Sequence, residues 1–247
     1  MIDLHCHILP GVDDGPATLD EALAMARFCA ADGITHVFAT PHCHRHVHWL
    51  RAEIIPHVRE FNDALAANDV AVTVLPGSEI QVINSNDYRR EFETGVFCHL
   101  GDGREFTLLE FSWNKIQFPN DAAALIRWIR SQNMTPIVAH PERYSYFWTD
   151  VAPLESLVEA GAWVQITADS VLGNHGPAPQ SAGREMLRRF PNAVLATDGH
   201  NMKRCSGLAA GFAWVEAEFG EARVADLKAR AAEVLNGARD GHDESSA

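Results

Sequence analysis

Seven short apolar runs, rich in β-branched residues, recur along the chain with helical patterns between them. This alternation constrains the fold most, because strands separated by crossover helices pair in parallel. The runs are Ile2–Cys6, Thr35–Thr40, Val70–Pro76, Phe106–Phe111, Thr135–Ala139, Ala162–Thr167 and Ala193–Thr197. Between the first two, Thr18 and Glu21 spell a capping box ahead of Leu19, Ala22, Leu23 and Ala26, and Gly33 closes that helix. Leu50–Asn68 places Ile54, Val58, Phe61 and Leu65 on one face, with Pro56 as a kink or a late start. Further helices are expected over Asp121–Ser131, Pro153–Ala160, Ser181–Arg189, Leu208–Glu218 and Glu221–Leu235. The pattern predicts one α/β domain over residues 1–236, followed by a disordered tail over 237–247. A closed (β/α) barrel, with seven strands rather than the usual eight, competes with an open doubly wound sheet. No G-x-G-x-x-G or G-x-x-x-x-G-K-[ST] loop follows any strand, which weakens a nucleotide-binding open sheet.

The ends of these strands carry the chemistry. They run into His5-Cys6-His7, Thr40-Pro41-His42, Gly77-Ser78-Glu79, Leu109-Glu110-Phe111, Ala139-His140-Pro141-Glu142-Arg143 and Thr197-Asp198-Gly199-His200. C-terminal strand ends of parallel β/α folds share one mouth, so side chains far apart in sequence should converge there. Several carboxylates buried together cost several kcal/mol each without a counter-charge, and divalent cations supply that charge. The expected ligand set is His5, His7, Asp14, His42, Glu79, Glu110, His140, Asp198 and His200. Nine ligands exceed one tetrahedral zinc and suit two or three bridged ions. Histidine and carboxylate without thiolate favour manganese, iron or zinc over copper. The spacing i, i+2 puts His5 and His7 on the same side of an extended strand, and Asp198 and His200 repeat it.

Other groups have plainer explanations. Asp13 is expected to face solvent beside Asp14. His44, His46 and His48 read as loop histidines, and His36 as a core histidine. Cys98 and Arg104 spell C-x5-R, the signature of cysteine-dependent phosphatases, but a strand pattern follows Arg104 where that chemistry needs a helix. Apolar residues are 47% and charged residues 21%, which excludes disordered and fibrous classes. No apolar run approaches the roughly 18 residues of a membrane span, and the first residues show no signal-peptide pattern. Five cysteines without a C-x-x-C pair suggest reduced thiols and a cytoplasmic location. The formal charge of -13 argues against a nucleic-acid partner, though not against a phosphorylated substrate, because bound cations invert the local field.

With these residues on the page, the chain resembles the polymerase and histidinol phosphatase (PHP) superfamily. Within it, the likeness is to the tyrosine-protein phosphatases of bacterial capsule and exopolysaccharide genes. The resemblance rests on residues 2–16, 39–42, 77–80, 108–111, 137–144, 165–168 and 197–201, in order along the chain. It implies a distorted (β/α)7 TIM-like barrel and a cluster of two or three divalent ions, Mn2+ first, with Fe or Zn as alternatives. It implies one ion held by His5, His7, Glu79 and Asp198, a second by Glu79, Glu110 and His140, and a third by Asp14, His42 and His200. Arg143 matches the family's phosphate-contacting arginine, and Arg204 stands near the place of a second. His42 and His200 join them in the expected catalytic set, a histidine at the mouth being a candidate general acid. The implied reaction is hydrolysis of phosphotyrosine by metal-activated water, with a bacterial tyrosine autokinase as the protein partner. Trp49, Trp113 and Tyr144 are candidates to hold the tyrosine ring. Cys43 stands where a second histidine is common in the family, and Gly199 replaces the usual Ala or Met. A small-molecule phosphatase, such as one for histidinol phosphate, is the alternative. An exonuclease or a non-enzymatic metal-binding module fits the sequence less well.

Overall fold

The computed structural model describes residues 1–44, 47–204 and 207–243. Its strands are β1 (Ile2–Cys6), β2 (His36–Ala39), β3 (His42–His44), β4 (Val47–His48), β5 (Thr73–Pro76), β6 (Glu79–Val82), β7 (Phe106–Phe111), β8 (Thr135–Val138), β9 (Trp163–Thr167) and β10 (Ala193–Ala196). The helices are α1 (Leu19–Ala31), α2 (Arg51–Ala67), α3 (Ser85–Glu93), α4 (Ala122–Ser131), α5 (Ser145–Thr149), α6 (Ala152–Glu159), α7 (Ala168–Leu172), α8 (Pro177–Arg189), α9 (Leu208–Phe219) and α10 (Glu221–Asp243).

Parallel pairing runs β1-β2-β5 in one sheet and β10-β9-β8-β7-β6-β3 in the other. The two sheets form one barrel. Pro41, which has no N–H for the ladder, separates β2 from β3, and Gly77-Ser78 separates β5 from β6. Pairing then resumes in register, with His36 opposite Thr73 below the break and His42 opposite Glu79 above it. The expected runs Thr35–Thr40 and Val70–Pro76 are present as β2 and β5, and each barrel strand continues past its break as β3 or β6, which no expected run covered. The seam between β1 and β10 is closed by the Asp198 N–H to His5 O and the His7 N–H to Gly199 O, both 2.8 Å. Asp3, wholly buried, accepts from the Thr197 N–H at 3.0 Å and from the Thr197 hydroxyl across the same seam. The result is a distorted seven-stranded β/α barrel.

Alternation along the strands fills its interior. Leu4, Phe38, Phe106, Leu108, Ile137, Ala139, Val194 and Ala196 form one buried cluster with Leu100 and with Ala231, Val234, Leu235 and Ala238 of α10. Burying a leucine or phenylalanine this fully contributes roughly 1.5–3 kcal/mol. α10 thus plugs the barrel base. Gly101 (φ 71°) lets it approach, since a Cβ there would lie 2.0 Å from Ala238 Cβ. The helix continues past the tail boundary expected at residue 237, because Ala238 is part of this floor.

Outside the barrel, a second cluster joins the strands to the apolar stripes of Ala22, Leu23, Ala26 and Cys29 on α1 and of Ile54, Val58, Phe61 and Leu65 on α2. α1 starts as expected: Thr18 Oγ1 accepts from the Glu21 N–H, and Glu21 reaches back to the Ala17 N–H. α2 starts at Arg51 and carries Pro56 within it.

Candidate metal centre

The strand faces that build the floor also build the mouth. On β7, Phe106 and Leu108 are followed two residues later by Glu110; on β10, Val194 and Ala196 are followed by Asp198. A register shift between Asp3 and Cys6 on β1 coincides with a change of face, so that Leu4 joins the floor and His5 the mouth. His140 and Asp198 hold positive φ angles of 32° and 51°, uncommon for residues with a Cβ and typical of functional turns. Main-chain bonds hold both turns: the His140 N–H donates to Gln165 Oε1 at 3.2 Å, and the Asp198 N–H to His5.

All nine residues of the expected ligand set meet. They fall into four overlapping groups, each with its candidate ligand atoms within 4.8 Å of one another: His7, Asp14, His42 and His200; His5, His140 and Asp198; His5, His7 and Glu79; His42, Glu79 and Glu110. Glu79 is central. Its Oε1 is 2.7 Å from His140 Nε2 and 3.5 Å from His5 Nε2, and its Oε2 is 2.8 Å from His42 Nδ1 and 3.5 Å from His7 Nε2. Asp198 Oδ1 lies 3.3 Å from His5 Nε2 and 3.5 Å from His7 Nε2. Asp14, more than half exposed, reaches His200 Nε2 at 3.2 Å and His42 Nε2 at 3.4 Å. Glu110 accepts from Gln81 Nε2 and from the Trp113 indole N–H.

Electrostatics follow this geometry. Burial alone would raise the Glu79 and Asp198 carboxyls, but the surrounding imidazoles outweigh it and hold both below the usual carboxylate range. Glu110 is pushed up by burial and by Glu79. Burial lowers His42, yet Asp14 and Glu79 carry it up to about 10. Glu79 Oε2 and Asp198 Oδ1 are buried and have no hydrogen-bond partner. Buried carboxylate oxygens without a donor are costly. Aimed at neighbouring imidazole nitrogens, they form the donor set that a hard or borderline divalent cation takes. The site residues therefore fit such ions.

Asp13 does not face solvent. Its side chain is 2% exposed, lies 2.6 Å from His7 Nδ1, and accepts from the His42 N–H at 3.1 Å and the Gly15 N–H at 3.1 Å. The loop after β1 turns Asp13 inward and leaves Asp14 at the lip, which two adjacent aspartates in a sequence do not reveal. Gln165, between His5 and His140, was also without an expected role; its place two residues after Trp163 and two before Thr167 on β9 is the signal that finds it.

Both expected arginines reach the mouth. The Arg143 guanidinium pairs with Asp198 Oδ2 and lies 4.9 Å from the Trp113 ring centroid. Arg204 is exposed and 3.3 Å from Asp14 Oδ2. Of the three aromatic candidates, only Trp113 combines exposure (48%) with contact to the site, stacking on His140. Tyr144 is wholly buried and accepts from the Phe111 N–H, and Trp49 sits edge-on to His57. Cys98 is buried, and burial pushes its thiol well up, while Arg104 is exposed, so the C-x5-R match has no catalytic geometry. His36 is half-buried at the start of β2 rather than in the core. His46 and the His48 side chain lie outside the described residues.

Comparison with known proteins brings a family model described as capsular polysaccharide synthesis, CpsB/CapC, which matches residues 1–236. Tyrosine-protein phosphatase YwqE of Bacillus subtilis is 31% identical over 204 residues, 82% of this chain and 78% of that protein. The putative tyrosine-protein phosphatase CapC of Staphylococcus aureus is 28% identical over 209 residues, again 82% and 78%. Among solved structures, one from a study of YwqE and of CpsB from Streptococcus pneumoniae, described as unique metal-dependent tyrosine phosphatases, superposes with a TM-score of 0.90 at 29% identity, covering 96% of this chain and 95% of that one. An organophosphorus hydrolase of Deinococcus radiodurans shares the fold alone, with a TM-score of 0.55 at 13% identity over 96% and 92% of the two chains.

Proposed function

The chain belongs to the CpsB/CapC family of capsular polysaccharide synthesis proteins, and from that membership we infer that it is a metal-dependent tyrosine-protein phosphatase. The observation that carries this reading is the convergence of nine imidazole and carboxylate side chains at the barrel mouth, two of whose buried oxygens have no hydrogen-bond donor. In this reading His5, His7, Glu79 and Asp198 hold one ion; Glu79, Glu110 and His140 a second; Asp14, His42 and His200 a third. Manganese is the first choice, with iron or zinc as alternatives, because the ligands are nitrogen and oxygen without thiolate. Bound divalent ions supply Lewis acidity, lowering the pKa of water and drawing charge from phosphoryl oxygens.

The protein's own groups do the rest. Hydrolysis forms a bond from water oxygen to phosphorus, breaks the bond to the tyrosine oxygen, and returns a proton to the phenol. Arg143, fixed by Asp198 and by the Trp113 face, donates to the equatorial phosphoryl oxygens, where charge collects. Arg204 adds a second positive group at the lip. His42 or His200, each with its Nε2 beside Asp14, is in this reading the candidate proton carrier when that nitrogen does not hold the third ion. Phenol has a pKa near 10, so its departure is helped by a general acid without depending on one. Trp113 offers an exposed aromatic surface for the tyrosine ring. A cysteine nucleophile has no support: burial pushes the Cys43 thiol up to about 12 and the Cys98 thiol further.

The substrate protein in this reading is the tyrosine autokinase of the same polysaccharide system, and the location is the cytoplasm. Supporting the location, no helix among the described residues is long and apolar enough to cross a membrane, and Cys43 and Cys98 are buried thiols. The test is hydrolysis of a phosphotyrosine peptide and of histidinol phosphate, before and after chelation. Loss of peptide hydrolysis in chelator and its return with Mn2+ is expected. Turnover of histidinol phosphate alone would replace the substrate class, and activity that survives chelation would end the metal mechanism.

A further inference from the structure

Gln165 is wholly buried on β9, between two groups of the candidate centre. Its Oε1 lies 2.9 Å from His5 Nδ1 and 3.2 Å from the His140 main-chain nitrogen, and its Nε2 donates to Thr167 Oγ1 at 3.3 Å. A main-chain N–H is always a donor, so the Gln165 atom facing His140 is the carbonyl oxygen and not the amide nitrogen. The same oxygen faces His5 Nδ1, which must then carry a hydrogen. Neutral His5 therefore keeps its lone pair on Nε2, the atom 3.2 Å from His7 Nε2 and 3.3 Å from Asp198 Oδ1. His7 is fixed in the same sense, its Nδ1 donating to the Asp13 carboxylate. Two imidazole lone pairs thus face each other at a distance where they repel, unless a proton or a cation lies between them.

We propose that Gln165 is a positioning residue of the metal centre: one carbonyl oxygen locks His5 in the Nδ1–H tautomer and anchors the left-handed turn that presents His140. The inference rests on the metal-centre reading above. The choice of an amide is chemically apt. Glu79, Glu110, Asp13 and Asp198 already crowd carboxyl groups into this buried region, with Asp3 behind His5 and Glu142 behind Thr167. Gln165 supplies an acceptor without adding another. It also links two groups that share no strand, since His5 lies on β1 and His140 follows β8. Hydrogen-bond partners behind a ligating histidine set its tautomer and orientation, and their loss weakens metal binding.

The experiment has two arms. In the first, long-range 15N–1H spectra of the metal-free wild-type protein, recorded at a pH high enough to leave His5 neutral and with His5 assigned by the signal lost in His5→Ala, report the tautomer directly. The Nδ1–H form is expected, and an Nε2–H form would overturn the inference. In the second, Mn2+ alone is titrated calorimetrically into wild type, Gln165→Met, which keeps the shape and loses the acceptor, and Gln165→Glu, which keeps an acceptor oxygen. Gln165→Met is expected to bind Mn2+ about 10–100-fold more weakly and to lose the fixed tautomer. Gln165→Glu is expected to retain the tautomer. A folded Gln165→Met protein with wild-type Mn2+ affinity, or a Gln165→Glu protein without the Nδ1–H form, would overturn the inference. Should Gln165→Met not fold, the wild-type and Gln165→Glu spectra still decide. If wild type takes up no divalent ion, it is the metal-centre reading that fails, and the spectra then judge the tautomer lock by itself.

Discussion

The floor and the mouth of the barrel are built by the same strands and differ by a single two-residue step. Phe106 and Leu108 of β7, and Val194 and Ala196 of β10, sit in an apolar cluster sealed by α10. One step further along, roughly 7 Å, the side chains on those faces are Glu110 and Asp198. Below, each group contributes by leaving water. Above, each carries a charge whose burial is tolerable only with a partner. Stability and chemistry are thus stacked along one axis, and each is open to change without the other.

Glu79→Gln should give the largest effect. It removes the carboxylate that touches four imidazoles, and phosphotyrosine hydrolysis should fall by roughly three orders of magnitude or more. The metal-free protein should still melt close to wild type, as followed by circular dichroism. A large fall in melting temperature would mean that the mouth also carries the fold.

Leu108→Ala is the converse. It should cost about 2–5 kcal/mol in urea unfolding, with kcat of the folded protein unchanged. A matching loss of kcat would show that the floor transmits strain to the ligands above it.

Next comes pH. His99, beside the floor residue Leu100, is pushed down to about 4, chiefly by burial and further by Arg104 and Arg51. The folded state prefers the neutral ring, so its contribution is complete above the ordinary pKa of about 6.5 and is lost as pH falls through about 4. That shift is worth on the order of 3 kcal/mol. The difference between wild type and His99→Gln, measured as unfolding free energy from pH 7 to 4, should show this slope. Parallel profiles would return the acid sensitivity to the mouth.

Asp13→Asn should have the smallest effect, weakening Mn2+ binding by about 10–100-fold through loss of the anchor behind His7. Unchanged affinity in calorimetry would reduce Asp13 to a loop-shaping residue.

Much of this was legible before any coordinates. Strand boundaries at Ile2–Cys6 and Phe106–Phe111 follow from apolar runs with turn residues around them, and strand-end position picked out the side chains that meet. The expected runs stop at Thr40 and Pro76, directly before the breaks at Pro41 and Gly77; the resumed pairing of β3 with β6 was not legible, because only the ladder shows that the strands go on. The helix beyond residue 237 was hidden for a related reason. Its sequence is polar apart from small residues, and Ala238 counts as core only because Gly101 lies against it.

Local pattern determined what periodicity can determine: the alternation of strand and helix, and the polar groups that terminate each strand. Those properties depend on near neighbours, and the backbone repeat fixes them. The tertiary structure alone decided which of two adjacent aspartates turns inward, which arginine meets Asp198, and which nitrogen of His5 carries hydrogen. Each depends on a partner 55 or 160 residues away or on the path of a loop, and no repeat in the chain encodes that distance.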